Sequence, residues 1–420
     1  MTTVPLLRIA LCLSLALPAF AQTPAKVLTL EECVKLAVAA PSQISVARLE
    51  TEAALSGIAQ ARASFLPQAG LNTGFVHNTS ASFVALNGTR EWIALAGGSV
   101  EFDSSGRLRA ELNRARAAHQ AATASVAITQ RDLKRAVTTS YYRVLLTRRL
   151  AVVAKMLLAD SENFEARTKK LYEGGEAARA DVVKAAAQSS QFRQALSAAE
   201  LEAKIANQEL ASFWTRDVTD ELAIEDILDK PLPTPEAEAA AAAPFMNRIE
   251  FNLLDAQRRG LQAEARRELA AMRPVATMDF RFGIDSNILS LRDRGASTTI
   301  GVNIPLFDWH KAREASNAFL ARAKQVDANR AIAERALSKE YQAALVRVKQ
   351  YYAQVAMTSD AQKLAEEDLK LSRLRYEGGE GSALDVVTSQ SQLAQARSTY
   401  FANLTNYLNA RADLEVAAGR

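Results

Sequence analysis

Two kinds of pattern alternate along this chain. In short segments apolar and polar residues strictly alternate, as in Met278, Phe280, Phe282 and Ile284 against Asp279, Arg281, Gly283 and Asp285. A second alternating segment sets Ile300, Val302, Ile304 and Leu306 against Gly301, Asn303 and Pro305. This period of two predicts strands with one apolar and one polar face. Between such segments lie long tracts without proline: none stands between Pro67 and Pro231, and Pro305 is the last. An interior proline costs a helix about 3 kcal/mol, so these tracts are free to be continuous helix.

The elements then follow in order. Thr29-Leu-Glu-Glu32 is a capping box that opens a helix running to about Phe65. Strands follow at about Gln68 to His77 and Glu91 to Phe102, then a long helix from about Ser105 to Leu171 and a returning helix from about Ala177 to Phe213. The second half predicts a helix over Phe245 to Met272, the two alternating strands, a long helix over Lys311 to Arg375, and a return over Ser382 to Ala417. At about 1.5 Å per residue each long helix spans roughly 100 Å.

The order repeats because the chain is written twice. Tyr172-Glu173-Gly174-Gly175-Glu176 recurs as Tyr376-Glu377-Gly378-Gly379-Glu380, and Asp181-Val182-Val183 recurs as Asp385-Val386-Val387. Eight matches in register over twelve positions mark an internal duplication. The expected organisation is a secretory signal over residues 1–21, a first repeat over 22–215, an inter-repeat linker or equatorial segment over 216–244, and a second repeat over 245–420.

Composition sharpens the picture at three points. Arg8, the apolar run Ile9 to Phe20 and the small-x-small site Ala19-Phe20-Ala21 have the form of a cleaved export signal, with the mature chain beginning at Gln22. Of the 2 Cys, Cys12 leaves with the signal and Cys33 stays alone, so no intrachain disulfide is expected. Lys and Arg number 51 against 47 acidic residues, a balance of +4 that gives no reason to expect nucleic acid as a partner.

No later segment resembles a transmembrane helix, so a membrane-embedded form would have to be a closed β-barrel. The strands have the length, around ten residues, that crosses an outer membrane when tilted. Four strands cannot close a barrel; three chains supply twelve, which points to a homotrimer. The plainer alternative is a small half-buried sheet in a soluble domain.

The signal, the tandem halves of helix, two strands, long helix, turn and helix, and the repeated Tyr-x-x-Gly-x(5)-Asp-Val turn resemble the TolC-type outer-membrane efflux family. The resemblance covers essentially the whole mature chain. It rests most on Tyr376, Gly379, Asp385 and Val386, with Gly175, Asp181 and Val182 in the first half. It implies a mainly α protein with a transmembrane β-barrel: a trimeric twelve-stranded barrel in outer-membrane lipid, continued by a long periplasmic α-helical barrel. It also implies a passive exit duct of a tripartite efflux or secretion system, with no enzymatic activity and no cofactor. An inner-membrane pump and a periplasmic adaptor (membrane fusion protein) would dock at a closable tip.

Carried over by position, Asp385 falls where the family places a ring-forming aspartate at the aperture, and three copies would make a cation-binding constriction. Tyr376 and Asp181 fall where a hydrogen bond between neighbouring helix pairs holds the tip shut. The chain also departs from the pattern. Thr388 stands where a second aperture aspartate is expected and Gly381 where a constraining arginine is expected, so the closed state has fewer contacts and less charge.

The tip residues have a second reading. Ser382-Ala-Leu-Asp385 is a variant capping box, and Asp181 also sits in a helix's first turn, where negative charge favours the dipole. The tip turns Tyr172, Gly174, Gly175, Glu176, Gly378, Gly379 and Glu380 read as turn formers and solvated charges. His77, His119 and His310 are scattered without metal-ligand spacing, so no metal and no catalytic residue is expected. Trp92 and Trp309 stand near strand ends, where aromatic belts anchor barrels. Two other classes compete with the duct. An adaptor would have one helical hairpin flanked by β-rich domains, and a coiled-coil scaffold needs no strands of membrane-spanning length.

Overall fold

The computed structural model describes residues 27–79, 90–235 and 244–419. The expected signal over 1–21, most of the segment between the first two expected strands, and the Ala run after Glu236 lie outside the described residues.

The opening helix is two helices, not one: α1 (Leu30–Ala39) and α2 (Gln43–Ala63). Pro41 explains the break. The residue before a proline is pushed out of helical geometry, and Ala40 takes an extended conformation (φ −72°, ψ 154°). Each piece is capped separately. Thr29 and Glu32 form the expected capping box, and Ser42 restarts the chain with its own box through Ser45.

Strands β1 (Gln68–His77), β2 (Arg90–Phe102), β3 (Val275–Ser286) and β4 (Arg294–Asn303) form one antiparallel sheet in the order β1-β2-β3-β4. The two repeats are thus sewn together through β2 and β3, paired from Trp92↔Ser286 to Phe102↔Ala276. The register puts Leu71, Phe75, Trp92, Val100, Met278, Phe280, Phe282 and Ile300 on one face, and Glu91, Asp279, Arg281 and Asp285 on the other.

β4 lies earlier in the chain than its alternation suggested. It starts at Arg294, after a 3₁₀ turn over Leu291–Asp293, so only residues 287–293 connect it to β3. The pairing ends at Asn303, opposite Val275, because the next residue back is Pro274, which has no N–H for the ladder. Ile304 to Leu306 alternate as a strand should but have no strand partner among the described residues.

From the sheet descend α3 (Arg107–Glu173) and α6 (Lys311–Glu377), 67 residues each and so about 100 Å long. Their shorter partners are α4 (Arg179–Ala211), α5 (Ile249–Ala270) and α7 (Ala383–Ala417). α3 packs on α4, α2 and α5, and α6 packs on α7 and α5. Two aspartates start the long helices in equivalent ways: Asp103 accepts from the Leu108 N–H at 2.9 Å and Asp308 from the Ala312 N–H at 2.8 Å.

The largest core cluster lies midway along the helices, where Cys33, Val137, Tyr141, Leu210, Leu404, Tyr407 and Leu414 are buried together. Each such side chain contributes about 1.5–3 kcal/mol by leaving water. The inter-repeat segment girdles this cluster. It has no helix or sheet strand from Arg216 to Thr234, yet Leu222, Ile224, Ile227 and Leu232 pack inward. Tyr141 donates to the Glu225 carbonyl at 2.7 Å, and Asn207 clasps the Leu222 N–H (3.1 Å) and the Asp220 carbonyl (2.8 Å).

At the start of the second repeat a polar knot ties α3, α5 and α6. Buried Arg248 bonds Glu250 at 2.7 Å and Glu340 at 2.9 Å, and Arg131 reaches Glu250 at 2.8 Å. Burial alone would raise the Glu250 carboxyl, but bonds from Arg248 and Arg131 outweigh it and lower it to about 2. A depressed carboxylate stabilises the fold above its unfolded value of about 4.5 and loses that contribution as pH falls towards 2. Glu250→Gln should therefore cost about 1–3 kcal/mol near neutral pH. Thermal unfolding followed at pH 7, 5 and 3 checks this: the deficit against the parent chain shrinks as the pH falls, and a deficit independent of pH would refute the knot's role.

Candidate functional site at the helix turns

Both long helices end in the same way at the far end from the sheet. In the first turn Glu176 N–H bonds the Leu171 carbonyl (2.8 Å) and Gly175 N–H the Tyr172 carbonyl (3.0 Å). In the second, Glu380 N–H bonds the Arg375 carbonyl (2.9 Å) and Gly379 N–H the Tyr376 carbonyl (3.1 Å). These are two Schellman motifs, which need a left-handed residue after the helix. Gly175 (φ 83°) and Gly379 (φ 74°) supply it. Gly174 and Gly378 cap their helices in ordinary right-handed geometry.

The returning helices start differently. α7 opens with a reciprocal capping box: Asp385 N–H donates to Ser382 Oγ (3.2 Å) and Ser382 N–H to Asp385 Oδ2 (3.0 Å). The carboxylate is exposed, and the Ser382 backbone N–H, then the Ser382 hydroxyl, hold it below the usual range for an aspartate. α4 opens at Ala178 with no side-chain cap. Asp181 is consequently not used as a cap; it is half-buried and reaches Lys184 at 3.8 Å.

Tyr376 turns into the helices. Its ring meets Phe164 edge-on at 5.2 Å, against a second core cluster of Val153, Leu157, Ala185, Val386 and Leu393. Its hydroxyl is buried without a hydrogen-bond partner, so the structure does not join it to Asp181 within the chain. Beside it a cleft of about 840 Å³ opens between the ends of α3 and α6, lined by Phe164, Arg167, Lys170, Arg373, Tyr376 and Glu377. Arg167 pairs with Glu377 across it, and Arg373 with Asp160 at 3.5 Å. Tyr172, Glu173, Glu176 and Glu380 are exposed.

The structure also brings together residues that motif reading passed over. Arg193 bonds Glu162 at 2.7 Å between α4 and α3, and Arg397 bonds Glu366 at 2.8 Å between α7 and α6. The second bond holds the Glu366 carboxyl below its usual range. These pairs stand at equivalent places of the two repeats, with the same spacing as Tyr172 and Tyr376, so that spacing was the signal that could have found them. Small polar pairs, Ser161–Ser189 (3.1 Å) and Ser372–Ser389 (3.0 Å), let the same helices approach closely.

Among the described residues no group of His, Cys, Asp and Glu could hold a metal, and no helix is long and apolar enough to cross a membrane.

Comparison with known proteins agrees with this architecture. No curated protein matches the sequence. Among solved structures, the outer membrane protein VceC of Vibrio cholerae superposes with a TM-score of 0.83 at 16% identity, over 93% of this chain and 96% of that one. The CmeC outer membrane channel of Campylobacter jejuni gives 0.82 at 14% identity, over 93% and 85% of the chains. The MtrE outer membrane channel of Neisseria gonorrhoeae, in its open state, gives 0.80 at 18% identity, over 93% and 88%. At these identities the likeness is one of fold. The family model described as outer membrane efflux protein matches residues 34–216 and 247–420, nearly the whole of both repeats. The chain therefore belongs to the outer membrane efflux protein family, as an exit duct in the Gram-negative outer membrane that extends into the periplasm.

Proposed function

We propose that three copies of this chain assemble into a passive duct that receives substrate from an inner-membrane pump and a periplasmic adaptor and closes at the helix turns when idle. The observation that carries the reading is the sheet. Its four strands have membrane-crossing length, its apolar face is exposed, and β1 and β4 have no second partner among the described residues. In lipid such edges are untenable, because every backbone group must be paired, and twelve strands from three chains close the barrel. The 67-residue helices then carry the lumen about 100 Å into the periplasm.

The turns form the gate. Asp385 is exposed at the start of α7, and three copies about an axis make an acidic constriction that favours cations. Capping and aperture roles are compatible, since the capping box uses one carboxylate oxygen, Oδ2, while the side chain stays exposed. The orphan hydroxyl of Tyr376 and the lightly used carboxylate of Asp181 complement one another, and their bond forms when neighbouring helix pairs coil together at the closed tip. The cleft beside Tyr376 is part of the surface offered to the adaptor. No step of this work calls for a cofactor.

Three measurements test the reading. Outer-membrane fractions run unheated on a gel should show a trimer that collapses on boiling, whereas a soluble periplasmic protein would return the chain to an adaptor or scaffold. In a reconstituted channel, Asp385→Asn should lower cation-over-anion selectivity by roughly half or more. Unchanged selectivity removes Asp385 from the aperture. Tyr376→Phe should raise the resting conductance without loss of trimer, and a parental conductance would leave the tyrosine a packing residue.

A further inference from the structure

Just below the sheet, the charges of α3 and α5 are matched on one side of the wall and unmatched on the other. Arg107 bonds Glu101 at 2.6 Å, and Glu101 lies opposite Thr277 on the polar face of the sheet, the face of Asp279 and Arg281. Arg114 bonds Glu111 at 2.6 Å, and Arg267 reaches the same carboxylate at 3.2 Å. These arginines mark the side of the two helices that continues the polar face, and each has a carboxylate beside it. Arg109 and Asn113 stand about 200° round the helix from Arg107 and Glu111, at about 100° per residue. They therefore continue the sheet's apolar face.

On that second side a cleft of about 390 Å³ lies between the start of α3 and the end of α5. Arg109, Arg266 and Arg273 line it together with Ser104, Asn113 and Leu269, and none of its described lining residues is acidic. Arg109 bonds Asp103 at 2.7 Å, and Arg273 donates to the Ser105 carbonyl at 3.1 Å. Arg266 has no ion pair or hydrogen bond among the described residues. Three exposed guanidinium groups thus share one carboxylate. We propose that this cleft binds the phosphodiester of an anionic phospholipid in the periplasmic leaflet of the outer membrane. A guanidinium fork matches phosphate oxygens two at a time, and Arg266 and Arg273 are free to offer theirs. The assignment rests on the sheet crossing the outer membrane as proposed above, and adds the lipid that the crossing selects.

Depth, position and repeat comparison agree with a lipid headgroup. β2 ends at Phe102 and the cleft begins at Ser104, about 7 Å further along an extended chain. The headgroup layer reaches about 5–7 Å beyond the hydrocarbon on each side, so the arginines stand at phosphate level. Phe102 above the cleft and Leu269 within it are exposed, as contacts for the attached acyl chain should be. The helices α2, α3, α5 and α6 touch in that order beneath the sheet, which puts the cleft under the central pair β2 and β3 and away from both edges. It therefore stays open to lipid when copies assemble. The duplication supplies the contrast. α3 and α6 start at Arg107 and Lys311, and α2 and α5 end at Ala63 and Ala270, so the counterparts of Arg109, Arg266 and Arg273 are Arg313, Ala59 and Leu66. Only one arginine of the three recurs. A diffuse attraction to an anionic surface would have no need of that difference, whereas a single site per chain does.

Native mass spectrometry of the detergent-purified full chain, titrated with phosphatidylglycerol or with phosphatidylethanolamine, tests the site. The parent should retain phosphatidylglycerol at about one per chain and in preference to phosphatidylethanolamine, whose ammonium group offsets the phosphate. Each arginine near an anionic headgroup is worth about fivefold in affinity. Arg266→Gln should thus weaken retention about fivefold, and Arg266→Gln combined with Arg273→Gln about 25-fold. Arg266 supports no other residue, so the single variant keeps the test sound if the double variant folds poorly. Arg313→Gln, at the counterpart position, should retain lipid like the parent. Equal retention by the parent and the Arg266→Gln variant, or of the two lipids by the parent, overturns the site. Inorganic phosphate that displaces phosphatidylglycerol at equal concentration overturns the lipid assignment in favour of a free anion. A heat-labile trimer that takes up no phosphatidylglycerol overturns the site and leaves the duct standing, whereas absence of any trimer from the unheated gel overturns the reading beneath it.

Discussion

A strand edge in lipid has to be paired, and most of this molecule follows from that requirement. β1 and β4 each leave one side of their backbone without a strand partner among the described residues, over strands of ten residues. In water, charge, proline or a bulge can blunt such an edge; in a bilayer an unpaired amide costs several kcal/mol and there are many of them. In the proposed trimer each chain is a fraction of a barrel, and the apolar sheet face that a single chain leaves exposed, including Leu71, Phe280 and Ile300, is the face that lipid would cover.

The duplication turns this requirement into geometry. Two repeats joined through β2 and β3 already contain one strand junction between repeats, the kind that the proposed trimer would need between chains. The same repetition acts at the other end of the helices. Both turns are Schellman motifs, and both hairpins carry an Arg–Glu pair at equivalent places, Arg193–Glu162 and Arg397–Glu366. Differences between the repeats then acquire meaning. Only the second turn is followed by a serine cap with Asp385, and only Tyr376, facing Phe164, buries its hydroxyl; Tyr172 is exposed. The repeats supply the wall in common, and the second supplies the features suited to a gate.

What could be read from the sequence divides along physical lines. The proline-free tracts and the repeated turn located the long helices to within two residues, because helix continuity and glycine at positive φ are local properties. β1 was legible to the residue, since Pro67 and the change of period bound it. The break at Pro41 was legible in principle but hidden by the capping box that opened the segment well. The placement of β4 was not legible from one chain's pattern. Arg294 to Thr299 alternate weakly and owe their strand geometry to β3, whereas Ile304 to Leu306 alternate strongly yet have no strand partner among the described residues.

The tip shows the same limit from the other side. Motif reading could name Asp385, Tyr376 and Asp181, and it could see a capping box as a second use for Asp385. Only the folded structure separates their situations: Asp385 occupied by Ser382, Asp181 nearly free of obligations, Tyr376 Oη buried and unsatisfied. A buried hydroxyl without a partner costs about 1–3 kcal/mol, and a protomer that carries it at a helix end gains that much when an acceptor arrives. A gate must close with modest energy so that a docked partner can open it again. In the proposed gate the Tyr376 hydroxyl of each chain would meet one carboxylate, which suits that scale, and Gly381 in place of an arginine would keep the closing contacts few.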